Sequence, residues 1–165
     1  MAVTSYAYDF EVDGIYYKLT SYNDAVVTHG DKKYTGSVFI PTDVKWNSRK
    51  INVVGIGDQA FKDCEGLTSV ILTYKVTLIG EHAFDECHNL VYVDFSHITS
   101  IGGYAFFNCW KLKEINLSGS VKNIGPYAFY GCKALREVTL HTLLEKVSNG
   151  AFADCEKLRM VRIYG

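Results

Sequence analysis

Five cysteines divide the second two-thirds of the sequence into nearly equal lengths. Cys64, Cys87, Cys109, Cys132 and Cys155 lie 23, 22, 23 and 23 residues apart. Every other anchor keeps that period. Ala60-Phe61 returns as Ala83-Phe84, Ala105-Phe106, Ala128-Phe129 and Ala151-Phe152, and Leu67 returns as Leu90, Leu112, Leu135 and Leu158. Val70 and Leu72 are followed by Val93 and Phe95, Ile115 and Leu117, Val138 and Leu140, and Val161 and Ile163. Ile56 recurs as Ile79, Ile101, Ile124 and Val147. A unit of this size cannot bury its apolar face alone, whereas stacked copies share one continuous core. The sequence therefore predicts a solenoid.

Two periodicities alternate within each copy. Ala60, Phe61, Cys64 and Leu67 fall at i, i+1, i+4 and i+7, one face of a short helical segment. Val70 and Leu72 flank Ile71, and the equivalent central residues are Asp94, Asn116, Thr139 and Arg162, the apolar-polar alternation of a half-buried strand. The reading is an α/β solenoid with parallel strands on a concave side and short helical segments on a convex side. Strands pair at about 4.8 Å whereas helices need roughly 8–10 Å, and that difference would curve the stack.

The chain has 165 residues, 17 Lys+Arg against 18 Asp+Glu, and 48% hydrophobic residues. This is enough for one domain with a sizeable core. The near-zero net charge argues against a nucleic-acid partner, which needs a basic face. No apolar run approaches the ~20 residues of a membrane-spanning helix. The opening Met1-Ala-Val-Thr-Ser-Tyr shows no secretory leader, so the expectation is either a cytosolic protein or a leader lying outside this sequence.

The I-G-x-x-A-F-x-x-C-x-x-L pattern resembles the BspA-like leucine-rich repeats, over residues 56–165 in five tandem copies. Phe10-Glu-Val-Asp-Gly-Ile-Tyr-Tyr-Lys, Gly36-Ser-Val-Phe-Ile-Pro41 and Val44-Lys-Trp-Asn are similar to the N-terminal region of such proteins. The resemblance implies an extracellular or cell-surface location and adhesion to host matrix or surface proteins. Copy five reads Val147-Ser148-Asn149-Gly150 and departs from the Ile-Gly pair. Residues 1–53 are expected to form a β-rich N-terminal cap with a degenerate rung. Asp13-Gly14 and Asn47-Ser48 in it are candidate turns. Residues 54–165 would hold the five repeats of the same continuous domain. The chain stops at Ile163-Tyr164-Gly165 without a polar capping repeat, which suggests a truncated array or an edge that self-associates through the C-terminal rung.

Several motifs mimic chemistry. Gly55-Ile56-Gly57-Asp58-Gln59-Ala60 follows a strand like a dinucleotide fingerprint, yet it is the first repeat unit, and no cofactor is expected. The cysteine spacings suit no zinc site. Disulfides need Cα atoms within ~7 Å, a distance that helical rungs exceed, so the cysteines read as buried free thiols acting as small apolar fillers. His82 and His88 flank Cys87, but they occupy variable slots and read as exposed, as do Asp85-Glu86. Asn116-Leu-Ser118 is a glycosylation sequon on a strand. With no catalytic motif present, the chain reads as a non-enzyme.

Function then rests on the variable columns. One concave column runs Ile71, Asp94, Asn116, Thr139, Arg162, and its neighbour Ser69, Tyr92, Glu114, Glu137, Met160. From these, Tyr92, Asp94, Asn116, Thr139 and Arg162 are candidate protein-binding residues. On the other side, Tyr104, Phe107 and Trp110 are followed by Tyr127 and Tyr130, an aromatic patch confined to the middle of the array. These rings either seal gaps between rungs, a use the resemblance favours, or form a partner site. The overall reading is a non-catalytic recognition or adhesion module, with a structural spacer or self-association element as the alternative.

Overall fold

The computed structural model describes residues 7–165. Residues 1–6, which include the start of the expected cap and the segment read for a leader, lie outside it. The described residues form fifteen strands and no helix: β1 (Phe10–Val12), β2 (Ile15–Leu19), β3 (Asp24–Thr28), β4 (Gly36–Phe39), β5 (Asp43–Trp46), β6 (Arg49–Ile56), β7 (Leu67–Ile71), β8 (Leu78–Ile79), β9 (Tyr92–Val93), β10 (Ser100–Ile101), β11 (Glu114–Asn116), β12 (Asn123–Ile124), β13 (Glu137–His141), β14 (Lys146–Val147) and β15 (Met160–Tyr164).

Each rung has three sides. The Ile-Gly anchors make one, a parallel sheet β3-β6-β8-β10-β12-β14. The antiparallel hairpin β1–β2 extends this sheet beside β3, and β5 pairs with the first half of β6. Asp13 and Gly14 both have positive φ, 51° and 79°, as do Asn47 and Ser48 at 48° and 60°. Two such residues in succession are what a two-residue type I′ hairpin requires. The Val-x-Leu anchors make the second side. Here the strands fall into two separate sheets, β4-β7-β9 and β11-β13-β15.

The third side carries Ala-Phe-x-x-Cys, where the sequence predicts helical segments. The structure corrects this: the side is a stack of turns. In repeat one, alternate N–H groups close local four-residue turns, Lys62 to Gln59 O at 3.1 Å and Cys64 to Phe61 O at 3.1 Å. The N–H groups between them donate across to the next rung, Gln59 to Glu81 O, Phe61 to Ala83 O and Asp63 to Asp85 O, at 2.7–2.9 Å. A helix is blocked because two positions per repeat are left-handed. Gln59, His82, Tyr104 and Tyr127 have φ of 54–57°, with Gly150 in the fifth copy, and Asp63, Glu86, Asn108 and Asp154 have φ of 56–61°, with Gly131 in the fourth. Left-handed backbone ends a right-handed helix. Cross-rung hydrogen bonding also holds this side at strand-like spacing, which removes the expected helical widening and the curvature argued from it.

The core is a column. Phe61, Phe84, Phe106, Phe129 and Phe152 stack face to face with centroids 4.9, 4.9, 5.0 and 5.3 Å apart. Tyr34 continues the column at 4.6 Å from Phe61. Its hydroxyl donates to Thr28 O and accepts from Tyr16 N–H, so the column meets the N-terminal strands with its polar end satisfied. Leu, Ile and Val anchors fill the remaining sides and are buried in repeats one to four, except that Leu140 is partly buried.

Candidate functional site

The turn side joins four of the five predicted aromatic residues through ring contacts, with Trp110 in a separate column. His82, Tyr104 and Tyr127 form one column, with ring centroids 4.8 and 5.2 Å apart. Phe107 and Tyr130 form a second at 4.8 Å. His88 and Trp110 stack at 3.7 Å in a third, with Lys133 Nζ 5.6 Å from the Trp110 ring. Tyr104–Phe107 and Tyr127–Tyr130 contacts, at 5.6 and 6.0 Å, tie the first column to the second. The stacking consumes ring faces, as the packing reading requires, but Trp110 and Tyr127 remain 42% and 37% exposed. The result is a partly open aromatic surface over rungs three and four. Tyr130 hydroxyl donates to the Asp154 carboxylate, and the phenol is held above its ordinary value by that bond.

Charged groups border this surface at rung two. Asp85 is buried, contrary to the exposed slot expected for it. Its Oδ2 lies 2.8 Å from both Lys62 Nζ and His82 Nδ1, while Oδ1 is buried without a partner. His88 Nε2 lies 2.6 Å from Glu86 Oε2, and Asn108 donates to the other Glu86 oxygen at 2.9 Å. The two histidines are thus half-buried and stacked on Tyr104 and Trp110, not the free surface groups the sequence suggests. Aromatic residues elsewhere in the same columns were the available signal.

The cysteines form a ladder of donors. Sγ of Cys87, Cys109, Cys132 and Cys155 lies 2.9, 3.2, 3.3 and 3.2 Å from the carbonyl of Phe61, Phe84, Phe106 and Phe129, respectively. All five thiols are free. The distance argument for that state no longer applies, because rungs sit at hydrogen-bonding separation; orientation toward the carbonyls takes its place. Burial pushes the Cys87, Cys109 and Cys132 thiols well up, whereas the bond to Cys132 draws the half-buried Cys155 down. Among the described residues, no group of three His, Cys, Asp or Glu side chains could hold a metal ion, and no helix is long and apolar enough to cross a membrane.

The strand side divides the remaining candidates. Asn116, Thr139 and Arg162 pair in register across β11, β13 and β15. Tyr92 and Asp94 lie across a gap from Asn116, because β9 and β11 do not pair. A cleft of about 450 Å³ occupies this gap, lined by Tyr92, Asp94, Ser96, Lys113, Glu114 and Asn116 among others. Lys113 and Ser96 were not singled out by sequence reasoning. A second cleft, about 620 Å³, lies between the β1–β2 hairpin and β4.

The repeat geometry has a counterpart in a known profile. The BspA type leucine rich repeat region matches residues 43–164 in six copies. The chain belongs to the BspA-type leucine-rich repeat family. Among solved structures, it is similar to the leucine-rich repeat protein of T. pallidum, at 30% identity and a TM-score of 0.81, covering 89% of this chain and 67% of that one. It is also similar to a leucine-rich repeat protein from Bacteroides ovatus, at 29% identity and TM-score 0.71, covering 93% of this chain and 47% of that one. A leucine rich cell surface protein from Faecalibacterium prausnitzii shares the fold at 20% identity and TM-score 0.64, covering 93% and 54%. This BspA-type chain thus spans about half the length of the latter two. No curated protein matches it significantly.

Proposed function

We propose that this BspA-type chain is a non-catalytic protein-recognition module of a bacterial cell-surface or secreted protein, and that it binds a host matrix protein or another cell-surface protein. The carrying observation is the partly exposed aromatic surface of Tyr104, Phe107, Trp110, Tyr127 and Tyr130. Its rings are already fixed by stacking, so a partner gains large contact area with little loss of side-chain entropy, and aromatic residues of this kind dominate binding energy at protein interfaces. The cell-surface relative from F. prausnitzii supports the location.

The test is surface binding of the purified chain to matrix glycoproteins and serum proteins at physiological salt. A saturable partner should bind Trp110→Ala or Tyr127→Ala about 30-fold more weakly, the loss of a ~2 kcal/mol anchor. Melting temperature separates the roles of the inner rings. Phe107→Ser and Tyr130→Ser variants that lose stability but keep affinity would assign the patch to packing. A second reading, a spacer or self-association element acting through the last rung, draws on β15. Its Val161 and Ile163 are 51% and 68% exposed, and β15 pairs only with β13. Sedimentation showing a concentration-dependent dimer that Ile163→Lys abolishes would favour that reading.

A further inference from the structure

The gap between β9 and β11 has a cause in the sequence. Three residues separate the second strand anchor from the next aliphatic residue packed on the core in repeats one, three and four: Leu72 to Val76, Leu117 to Val121, Leu140 to Leu144. In repeat two, only Ser96 and His97 separate Phe95 from Ile98, and this deletion accounts for the single 22-residue cysteine spacing. The anchor itself is also larger, Phe95 in place of Leu or Ile. Its buried ring packs edge-on against Phe106 of rung three at 5.4 Å and Phe129 of rung four at 6.3 Å. The shortened exit and the wedge coincide with the one place where the strand side loses its ladder.

Main-chain groups are left open on both walls. In the other rungs, the residue after the Leu anchor donates to its counterpart in the rung before: Val91 to Thr68 O at 2.8 Å, Arg136 to Lys113 O at 3.0 Å, Arg159 to Arg136 O at 3.1 Å. Lys113 N–H makes no such bond to Val91 O. The counterpart of the Asp94 N–H to Val70 O bond, from Asn116 N–H to Val93 O, is also missing. The reverse bond is lost as well: Leu117 N–H donates to Thr139 O at 3.3 Å, but its counterpart from Phe95 N–H to Asn116 O is absent, so each wall offers both acceptors and donors. Unpaired backbone groups at a sheet edge are a template for another strand.

We propose that this cleft takes an extended peptide segment of a protein partner, paired through its main chain with the open groups of rungs two and three. On one edge the segment donates to Val91 O and Val93 O and accepts from Phe95 N–H, and on the other it accepts from Lys113 and Asn116 N–H and donates to Asn116 O. Alternating donors and acceptors on facing walls complement a peptide backbone, and strand addition is an established mode of recognition. Asp94 and Glu114 at the rim outnumber Lys113, which selects a segment carrying a basic residue, and the exposed Tyr92 ring gives its alkyl stem a surface to lie on. The deepening rests on the recognition role proposed above, but it places main-chain contact at a site separate from the aromatic surface.

The test uses ¹⁵N-labelled chain and an acetylated, amidated octapeptide of alternating Arg and Val. In the free protein, Lys113 and Asn116 amides should exchange at least about tenfold faster than Arg136 and Thr139. Peptide addition should shift resonances of Val91–Asp94 and Lys113–Asn116 and slow exchange of the Lys113 and Asn116 amides. Alternate N-methylation of the peptide should weaken binding by about tenfold or more, and inserting one Ser between Ser96 and His97 should close the ladder and abolish binding. Slow exchange in the free protein, equal binding of the N-methylated peptide, or equal binding by the insertion variant would overturn the proposal. Shifts confined to Tyr104–Tyr130 would overturn it while favouring the aromatic surface. An octapeptide that leaves every resonance in place would overturn it without touching the binding of matrix proteins through Trp110.

Discussion

Replacing Phe106 by Ala removes the centre of the aromatic column, and the structure sets the size of the effect. Phe106 is fully buried, stacked between Phe84 at 4.9 Å and Phe129 at 5.0 Å, with Phe95 edge-on at 5.4 Å. A Phe to Ala change in a core costs about 3–5 kcal/mol, and each lost ring pair is worth about 0.5–1.5 kcal/mol beyond burial. With three ring partners and no solvent to relax into, Phe106→Ala belongs at the upper end, about 5 kcal/mol. Phe152 offers the control. It occupies the same slot in the fifth copy, is half-buried, and stacks on one ring only, at 5.3 Å. Its replacement by Ala should cost about 1–2 kcal/mol. Urea unfolding followed by far-ultraviolet circular dichroism measures both. Because most contacts run between adjacent rungs, Phe106→Ala should also broaden the transition as the two halves of the array uncouple. Equal losses for the two variants, within about 0.5 kcal/mol, would refute the reasoning that neighbour stacking holds the solenoid together.

Two further outcomes follow from buried groups. Cys87, Cys109 and Cys132 are held neutral in the fold, above the ordinary thiol value of 9.0. Their folded values exceed the unfolded ones, so the stability they contribute is complete below pH 9 and is lost as pH rises beyond it. Ionisation of these thiols in the unfolded chain should therefore lower the urea midpoint between pH 8 and pH 10, and Cys109→Ala should make that fall smaller. Asp85→Ala removes the shared partner of Lys62 and His82; since Lys62 still reaches water, the loss should be about 2 kcal/mol in the same assay, and Asp85→Asn should recover part of it.

The period, the anchors and the strand alternation were legible because each maps onto burial without knowledge of the backbone. The turn side was not. An i, i+1, i+4, i+7 apolar pattern is met equally by one helical face and by two consecutive turns, since both return the chain to the core after about three residues. The deciding signal lay in the slot before each cysteine, which reads Asp63, Glu86, Asn108, Gly131, Asp154. Four of these are Asp, Asn or Gly, the residues that tolerate left-handed backbone, and the structure puts all five there. Asp85 was misplaced for a related reason. A carboxylate in a variable slot is exposed unless a neighbouring rung supplies its partner, and Lys62 sits 23 residues away in the same column. Contacts in this fold run along columns, so a residue's environment is written one period before and after it, not beside it.

The same column logic explains why the rung two to three gap can exist at all. Rungs are joined on three sides, and at this step two remain intact. Ile79 pairs with Ile101 through β8 and β10, and Phe84 N–H donates to Ala105 O at 2.7 Å across the turns. Losing the third ladder therefore leaves the phenylalanine column unbroken, with Phe84 and Phe106 still 4.9 Å apart. A fold that depended on a single sheet could not lose a ladder internally without splitting its core. Here the deletion after Phe95 and the larger ring compensate one another: the ring fills the volume beneath the parted strands, and the shortened exit returns the chain to Ile98 in register. Departures from local consistency tend to mark function. In a repeat protein the departure is measured against the chain's own other copies, which makes the shortened second repeat the place to look first.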